Sequence, residues 1–337
     1  MRPAENRQIR FERRRVVNQA EGIHRALVRE QLAPPESGLH ANRGNILEPV
    51  HIVTARRLAR SQSRPLVFTY HTRYEKYAHY VPLPEPLVAS LAVRLASRFA
   101  GAADLVIAPS ARIAESLADL GVKAKIAVVP TGVPLELFRP GDRREARQTL
   151  GLDEAAPLCL YVGRLDREKS VERVIDAFGS IVLAVSGARL LLVGQGSHEA
   201  ALKRLAAVSP ASEAIRFAGS VPREELPPYY QAADLFLFSS ETETQGLVLA
   251  EAHACGLPAV AVRASGVDEV VRDGETGLLT KADVEELADA AIGLLLDAPR
   301  RSAMALAARA LAVSDFSAAR QVEVMIGHYR RLLSGSA

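Results

Sequence analysis

Two glutamates, Glu243 and Glu251, stand with seven residues between them in the stretch from Ser239 to Val260, SSETETQGLVLAEAHACGLPAV. Thr244-Gln245-Gly246 makes a short polar turn ahead of an apolar run of helical composition. The apolar segment Ala233 to Ser239 leads in as a strand, and Gly256-Leu257-Pro258 closes the helix. A strand, a glycine-containing turn and a helix start aim backbone N–H groups and the positive end of the helix dipole at one point, which suits an anion. Carboxylates beside them accept hydrogen bonds from hydroxyls. Phosphate and hydroxyls together describe a nucleotide-sugar.

Other groups could complete such a site. Gly163-Arg164-Leu165-Asp166-Arg167-Glu168-Lys169 follows the apolar run Leu158 to Val162. Arg164 as a planar fork and Lys169 as a point charge can converge on a diphosphate. Basic residues near a helix start are often simply solvated, so their weight comes from the helix start at Gly246. Gly163 lets the backbone approach a ligand, and Gly194-Gln195-Gly196 is a second turn of that kind. In Phe217-Ala218-Gly219-Ser220-Val221-Pro222 the backbone of Val221 can pair with a nucleobase edge; an ordinary strand-to-helix turn competes closely with that reading. Four of the eight tyrosines fall between Tyr70 and Tyr80, directly after the strand Leu66 to Thr69. Tyr70, His71, Thr72 and Tyr74 then lie at the carboxyl edge of a sheet, where open α/β folds bind ligands. His71 reads as functional, and His79 as part of an aromatic surface loop.

The elements that must position these residues are legible from residue 64 onward. Short apolar strands are expected at 66–69, 104–108, 125–129, 158–162, 189–193, 215–218, 233–239 and 258–262. Helices are expected at 86–99, 110–120, 168–182, 197–207, 223–232, 246–255, 282–295, 298–312 and 317–334. Such alternation predicts parallel, doubly wound sheets with right-handed crossovers. Phe138 to Asp142 reads as an interdomain linker. In 86–99 Leu87, Leu91, Leu95 and Phe99 share a stripe beside Arg94 and Arg98. Core packing is the favoured role, with membrane contact through the basic flank as the alternative. Residues 1–60 show no clear first strand and no Gly-rich turn; 56–60 read as the end of a basic helix.

Composition sets the class. The 337 residues suffice for two domains, with 48% hydrophobic and 24% charged residues. Cys159 and Cys255 fall in an expected strand and helix and read as reduced, buried thiols in a cytoplasmic protein. Residues 1–150 hold 24 Lys/Arg against 14 Asp/Glu, a net of +10, and the remainder holds 18 against 25, a net of −7. A basic half points to an anionic partner or to an Arg-rich solvated surface, in about equal measure. A nucleic-acid binder has no motif behind it, and no nucleic acid is expected.

Taken together, residues 64–335 resemble retaining glycosyltransferase family 4. The resemblance rests on Gly163-Arg164-Leu165 through Lys169, Val193-Gly194-Gln195-Gly196, Phe217-Ala218-Gly219, Glu243-x7-Glu251 with Ala254-Cys255-Gly256-Leu257-Pro258, and Asp273-Gly274-Glu275-Thr276-Gly277-Leu278-Leu279. It implies an α/β GT-B fold, two Rossmann-like domains with parallel sheets facing a cleft. Residues 1–140 would form an acceptor-side domain, undefined over 1–60 and incomplete. Residues 141–315 would bind the nucleotide-sugar, and 316–337 would return to the first domain as a helix. The resemblance implies that Arg164 and Lys169 neutralise the donor diphosphate, Glu243 holds sugar hydroxyls, Glu251 holds ribose hydroxyls, and His71 stands at the reacting centre. Gly163, Gly194, Val221, Gln245, Gly246, Leu247 and Val248 complete the donor side. It implies no metal and no dinucleotide cofactor. The 70–77 segment looks like that of diacylglycerol glucosyltransferases, which implies UDP-glucose as donor and a lipid acceptor at the inner face of the membrane; a soluble acceptor stays open. So does a catalytically impaired nucleotide-sugar-binding protein, because the family's first strand and Gly-rich loop are not found in residues 1–60.

Overall fold

Runs of Val, Leu, Ile and Phe without polar alternation make strands that are covered on both faces. The computed structural model describes residues 55–71 and 84–334. Residues 55–61 are helical. In the first lobe β1 (Val67–Thr69), β2 (Leu105–Ala108) and β3 (Lys125–Val128) form a parallel sheet in that order. Helix α1 (Glu85–Ala100) precedes β2, and α2 (Ala111–Asp119) follows it. Side chains alternate across the sheet, as the pleat requires. Val106 and Ala108 face a cluster with Tyr70, Ala96, Ala100, Ile113 and Leu117, while Leu105 and Ile107 face Ala127 and Val129 on the other side.

The leucine stripe of α1 is not in the core. Leu87 is 62% exposed, Leu91 56% and Leu95 37%, whereas Ala96 and Ala100 are buried. The small residues let the helix sit close to the sheet, and the leucines look outward. That corrects the packing expected for this stripe.

The second lobe holds a six-stranded parallel sheet of β4 (Leu158–Val162), β5 (Arg189–Val193), β6 (Ile215–Gly219), β7 (Leu235–Phe238), β8 (Ala259–Val262) and β9 (Gly277–Thr280). Its spatial order is β6-β5-β4-β7-β8-β9, so the direction of winding reverses between β4 and β7. Covering helices are α3 (Arg143–Thr149), α4 (Val171–Ala184), α5 (Glu199–Val208), α6 (Pro227–Ala232), α7 (Leu247–Ala254), α8 (Val284–Leu296) and α9 (Ala298–Asp315). Helix α10 (Ala318–Leu333) lays Met325 and Leu332 against Leu105, Ile107, Ala127 and Val129 of the first lobe. The fold is thus GT-B-like, with two parallel α/β sheets.

A buried arginine fastens the two central strands. Arg147 on α3 is 0% exposed. Its Nε donates to Ala232 O at 2.8 Å, one Nη to Asp153 O and Glu154 O at 3.2 and 2.7 Å, and the other to Asp234 at 2.9 Å. Asp234 also accepts from the Leu158 N–H at 2.8 Å and pairs with Arg143 at 2.6 Å. The starts of β4 and β7 are thereby locked together. The chain crosses between lobes at 129–133, ahead of the 138–142 stretch expected as a linker. Val133 already donates to Phe316 O at 2.7 Å and accepts from the Ala318 N–H at 3.0 Å, and Phe138 is fully buried in the second lobe's core.

Candidate functional site

Where winding reverses, the loops after two neighbouring strands splay apart and leave a crevice at the carboxyl edge. Here those loops are 163–170 after β4 and 239–246 after β7. They are stitched together. Ser239 Oγ lies 3.0 Å from Lys169 O and 2.8 Å from Ser170 O, Thr242 Oγ1 donates to Glu168 O at 3.3 Å, and Arg173 donates to Ser239 O at 3.1 Å. At the mouth Lys169 Nζ meets Glu243 Oε1 at 2.6 Å, both side chains largely buried. Two residues 74 apart in sequence thus form one charged pair, as the topology demands.

Arg164 is turned onto Asp166 and, at 2.8 Å, onto Glu168. Asp166 also accepts from the Ser197 N–H at 2.7 Å. The glycines here serve the neighbouring loop as well as any ligand. A Cβ on Gly194, at φ +138°, would overlap the Gly163 carbonyl, and one on Gly196 would overlap the Leu165 backbone. The absence of both lets the loops after β4 and β5 touch main chain to main chain, with Leu165 N–H on Gln195 O at 2.9 Å.

Helix α7 opens on Gly246, whose φ of +72° is left-handed, and no side chain caps it. Leu247 and Val248 lie at its first turn, and their N–H groups have no hydrogen-bond partner among the described residues. Gln245 and Glu251 point elsewhere. Gln245 bonds the backbone of Thr131. Glu251 is 2% exposed and accepts from Arg223 at 2.7 Å and from the Tyr230 hydroxyl at 3.0 Å. Val221 lies in the loop after β6, partly exposed. Tyr70 is buried under the first lobe's sheet, and His71 is exposed, its carbonyl accepting from Thr244 Oγ1 at 3.1 Å. Thr72 and Tyr74 lie outside the described residues. The spacing of Glu251 carries no signal for these partners beyond Arg223 being the only basic residue between Phe217 and Ala233.

Burial raises the Glu251 carboxyl above the ordinary range, against the opposing pull of Arg223 and Tyr230. A carboxyl raised on folding contributes its stability below its unfolded pKa and loses it as pH rises through the folded one. Glu251→Gln removes that titration. Thermal unfolding across the acid range should therefore show the wild type losing Tm relative to the variant as pH climbs through that window. A constant difference would show that the carboxyl keeps its ordinary value.

The family profile of group 1 glycosyl transferases matches residues 142–311, half of the chain. The chain belongs to the group 1 glycosyltransferases. The chain also matches a second profile, Glycosyltransferase Family 4, over residues 46–137. It is 31% identical to alpha-monoglucosyldiacylglycerol synthase of Streptococcus pneumoniae over 72% of its own length and 56% of that protein. It is 35% identical to D-inositol 3-phosphate glycosyltransferase of Acidothermus cellulolyticus, over 80% of itself and 62% of the relative. The chain thus spans less than two thirds of either relative's length. Among solved structures, Anabaena HepE in complex with UDP-glucose superposes with a TM-score of 0.70 at 26% identity, covering 85% of this chain and 77% of that one. Among the described residues no helix is long and apolar enough to cross a membrane.

Proposed function

We propose that this protein transfers a hexose from a nucleoside-diphosphate sugar to an acceptor hydroxyl with retention at the anomeric carbon. UDP-glucose is the proposed donor and a glycolipid or diacylglycerol at the cytoplasmic face of a membrane the proposed acceptor. The observation that carries the reading is the Lys169–Glu243 pair beside the uncapped start of α7, at the point where the sheet's winding reverses. An ammonium has three donors, so Lys169 can hold a phosphate oxygen and Glu243 together. The Leu247 and Val248 N–H groups and the helix dipole take the same anion. Glu243 then serves the sugar hydroxyls.

As the anomeric C–O bond breaks, its electron pair moves onto the diphosphate. Lys169 and the α7 dipole stabilise that growing charge more than the ground state's, and Arg164, half-exposed, joins them by exchanging its carboxylate partners Asp166 and Glu168 for a phosphate oxygen. The acceptor oxygen bonds to the same face and passes its proton to the departing phosphate oxygen. No step calls for a metal or a nicotinamide. The lipid acceptor draws support from the name of the pneumococcal relative and from the outward leucines of α1 beside Arg94 and Arg98.

The test incubates the protein with UDP-glucose and vesicles of diacylglycerol with anionic phospholipid, with and without EDTA, and assigns the product anomer by NMR. An α-glucosyl lipid, formed equally in EDTA, is the expected product. A β-linkage would overturn retention, and UDP binding without transfer to any lipid or soluble acceptor would replace the reading with that of a binding protein.

A further inference from the structure

The turn that carries Glu243 also holds the other lobe. Gln245 is 5% exposed. Its Oε1 accepts from the Thr131 N–H at 2.7 Å and its Nε2 donates to the Thr131 carbonyl at 2.8 Å, so one primary amide occupies both polar groups of one backbone residue. Thr131 lies in the crossing between the lobes. Val133, two residues on, is bridged to the return crossing through Phe316 and Ala318. Between them Gly132 lies so close to Ala318 that a Cβ would overlap its Cα. Both crossings therefore share one backbone-bonded pivot, and Gln245 grips it.

Neighbouring contacts run the same way. Thr244 Oγ1 donates to His71 O. Gly266 packs against the Thr244–Gln245 peptide, where a Cβ would not fit. The loop that begins there sends Glu269 to accept from the Ala111 and Arg112 N–H groups at 2.8 and 3.0 Å, and Asp268 to Arg112 at 2.9 Å. Residues 243–246 thus hold one member of the charged pair, bond the pivot and pack, at Gly266, on the loop that makes the second contact between lobes.

We infer that Gln245 is a positioning residue. Its amide ties the donor turn to the inter-lobe pivot and thereby holds the lobe angle that sets the donor site against the acceptor side at His71. The inference rests on the donor reading above, and it moves Gln245 from donor contact to hinge strap. The amide is chemically suited to this because it both donates and accepts. Leucine keeps most of its volume and does neither. Glutamate accepts from the Thr131 N–H but turns a second acceptor on the Thr131 carbonyl, until protonation supplies the missing donor.

The test uses the full chain with spin labels at Asp119→Cys on α2 and Ser180→Cys on α4, both exposed, while Cys159 and Cys255 are buried. Distances are read with and without UDP in wild type, Gln245→Leu and Gln245→Glu, alongside UDP calorimetry and steady-state kinetics. Gln245→Leu should broaden the inter-lobe distance even without nucleotide, keep its UDP affinity, and lose about 10–100-fold in kcat with little change in donor KM. Gln245→Glu should show the same defect at about pH 8 and recover towards about pH 5.5, which a general packing loss would not do. An unchanged distance distribution in Gln245→Leu, or a loss of UDP affinity that matches the loss of kcat, overturns the strap. A wild type that binds no nucleoside diphosphate overturns the donor reading instead, and the ligand-free distances still decide the strap.

Discussion

Lys169→Met is expected to lower kcat for sugar transfer by about 10²–10³-fold, the scale seen when one preorganised partner of a developing negative charge is removed. Donor KM should change far less, because the charge on the diphosphate is largest in the transition state. The substitution also strands Glu243, which is mostly buried and hydrogen-bonded to Lys169 at 2.6 Å. Part of any loss could therefore come from the fold. Adding Glu243→Gln separates the two effects when Glu243→Gln alone is the reference: the double variant should regain thermal stability, since the amide needs no cation, while its turnover stays well below that of Glu243→Gln. A double variant that turns over as fast as Glu243→Gln alone would show that Lys169 acts only as a counter-ion to Glu243. Steady-state kinetics and Tm on the four proteins decide the matter.

The second large effect is on stability. Arg147→Ala should cost about 3–5 kcal/mol, a Tm fall of about 6–20 °C, because it leaves a buried carboxylate without its main partner. Three backbone carbonyls, of Ala232, Asp153 and Glu154, lose their donor at the same time. Combining Arg147→Met with Asp234→Leu should be less damaging than the two single changes added together, since an apolar pair avoids the unpaired charge. Recovery will stay partial, because Asp234 also serves Arg143 and the Leu158 N–H. Differential scanning calorimetry on the four proteins measures the coupling, and strict additivity would show that the ion pair is not a unit.

Different physical signals made parts of this molecule readable and hid others. Strands β4, β5 and β7 announce themselves as continuous apolar runs, and their alternation with helices dictates a parallel sheet. Helix α3 gave no such signal, because RREARQT has no apolar stripe and the side chain it buries most deeply is an arginine. β9 is four residues long and half-buried, behind a turn that dominates its composition. In the site, Lys169 and Glu243 carry residue types that point to a charged ligand, and the reversal of winding brings them together. Gln245 and Glu251 sit in the same motif, but their partners are a backbone peptide in one case and Arg223 with Tyr230 in the other. Main-chain partners leave no residue-type signature. The outward leucines of α1 show the same limit, since periodicity finds a stripe without saying which side the sheet is on.

The return of α10 to the first lobe has a consequence for how the protein is made. Leu105, Ile107, Ala127 and Val129 rely on Met325 and Leu332 for cover. The six-stranded sheet, by contrast, is drawn from one contiguous stretch of chain. During synthesis the six-stranded sheet can assemble as soon as β9 and its covering helices emerge, while the face of the first lobe's sheet that α10 covers waits for α10 to follow. The three-stranded sheet, although it is made first, should thus complete its packing last, the reverse of the usual order for consecutive domains.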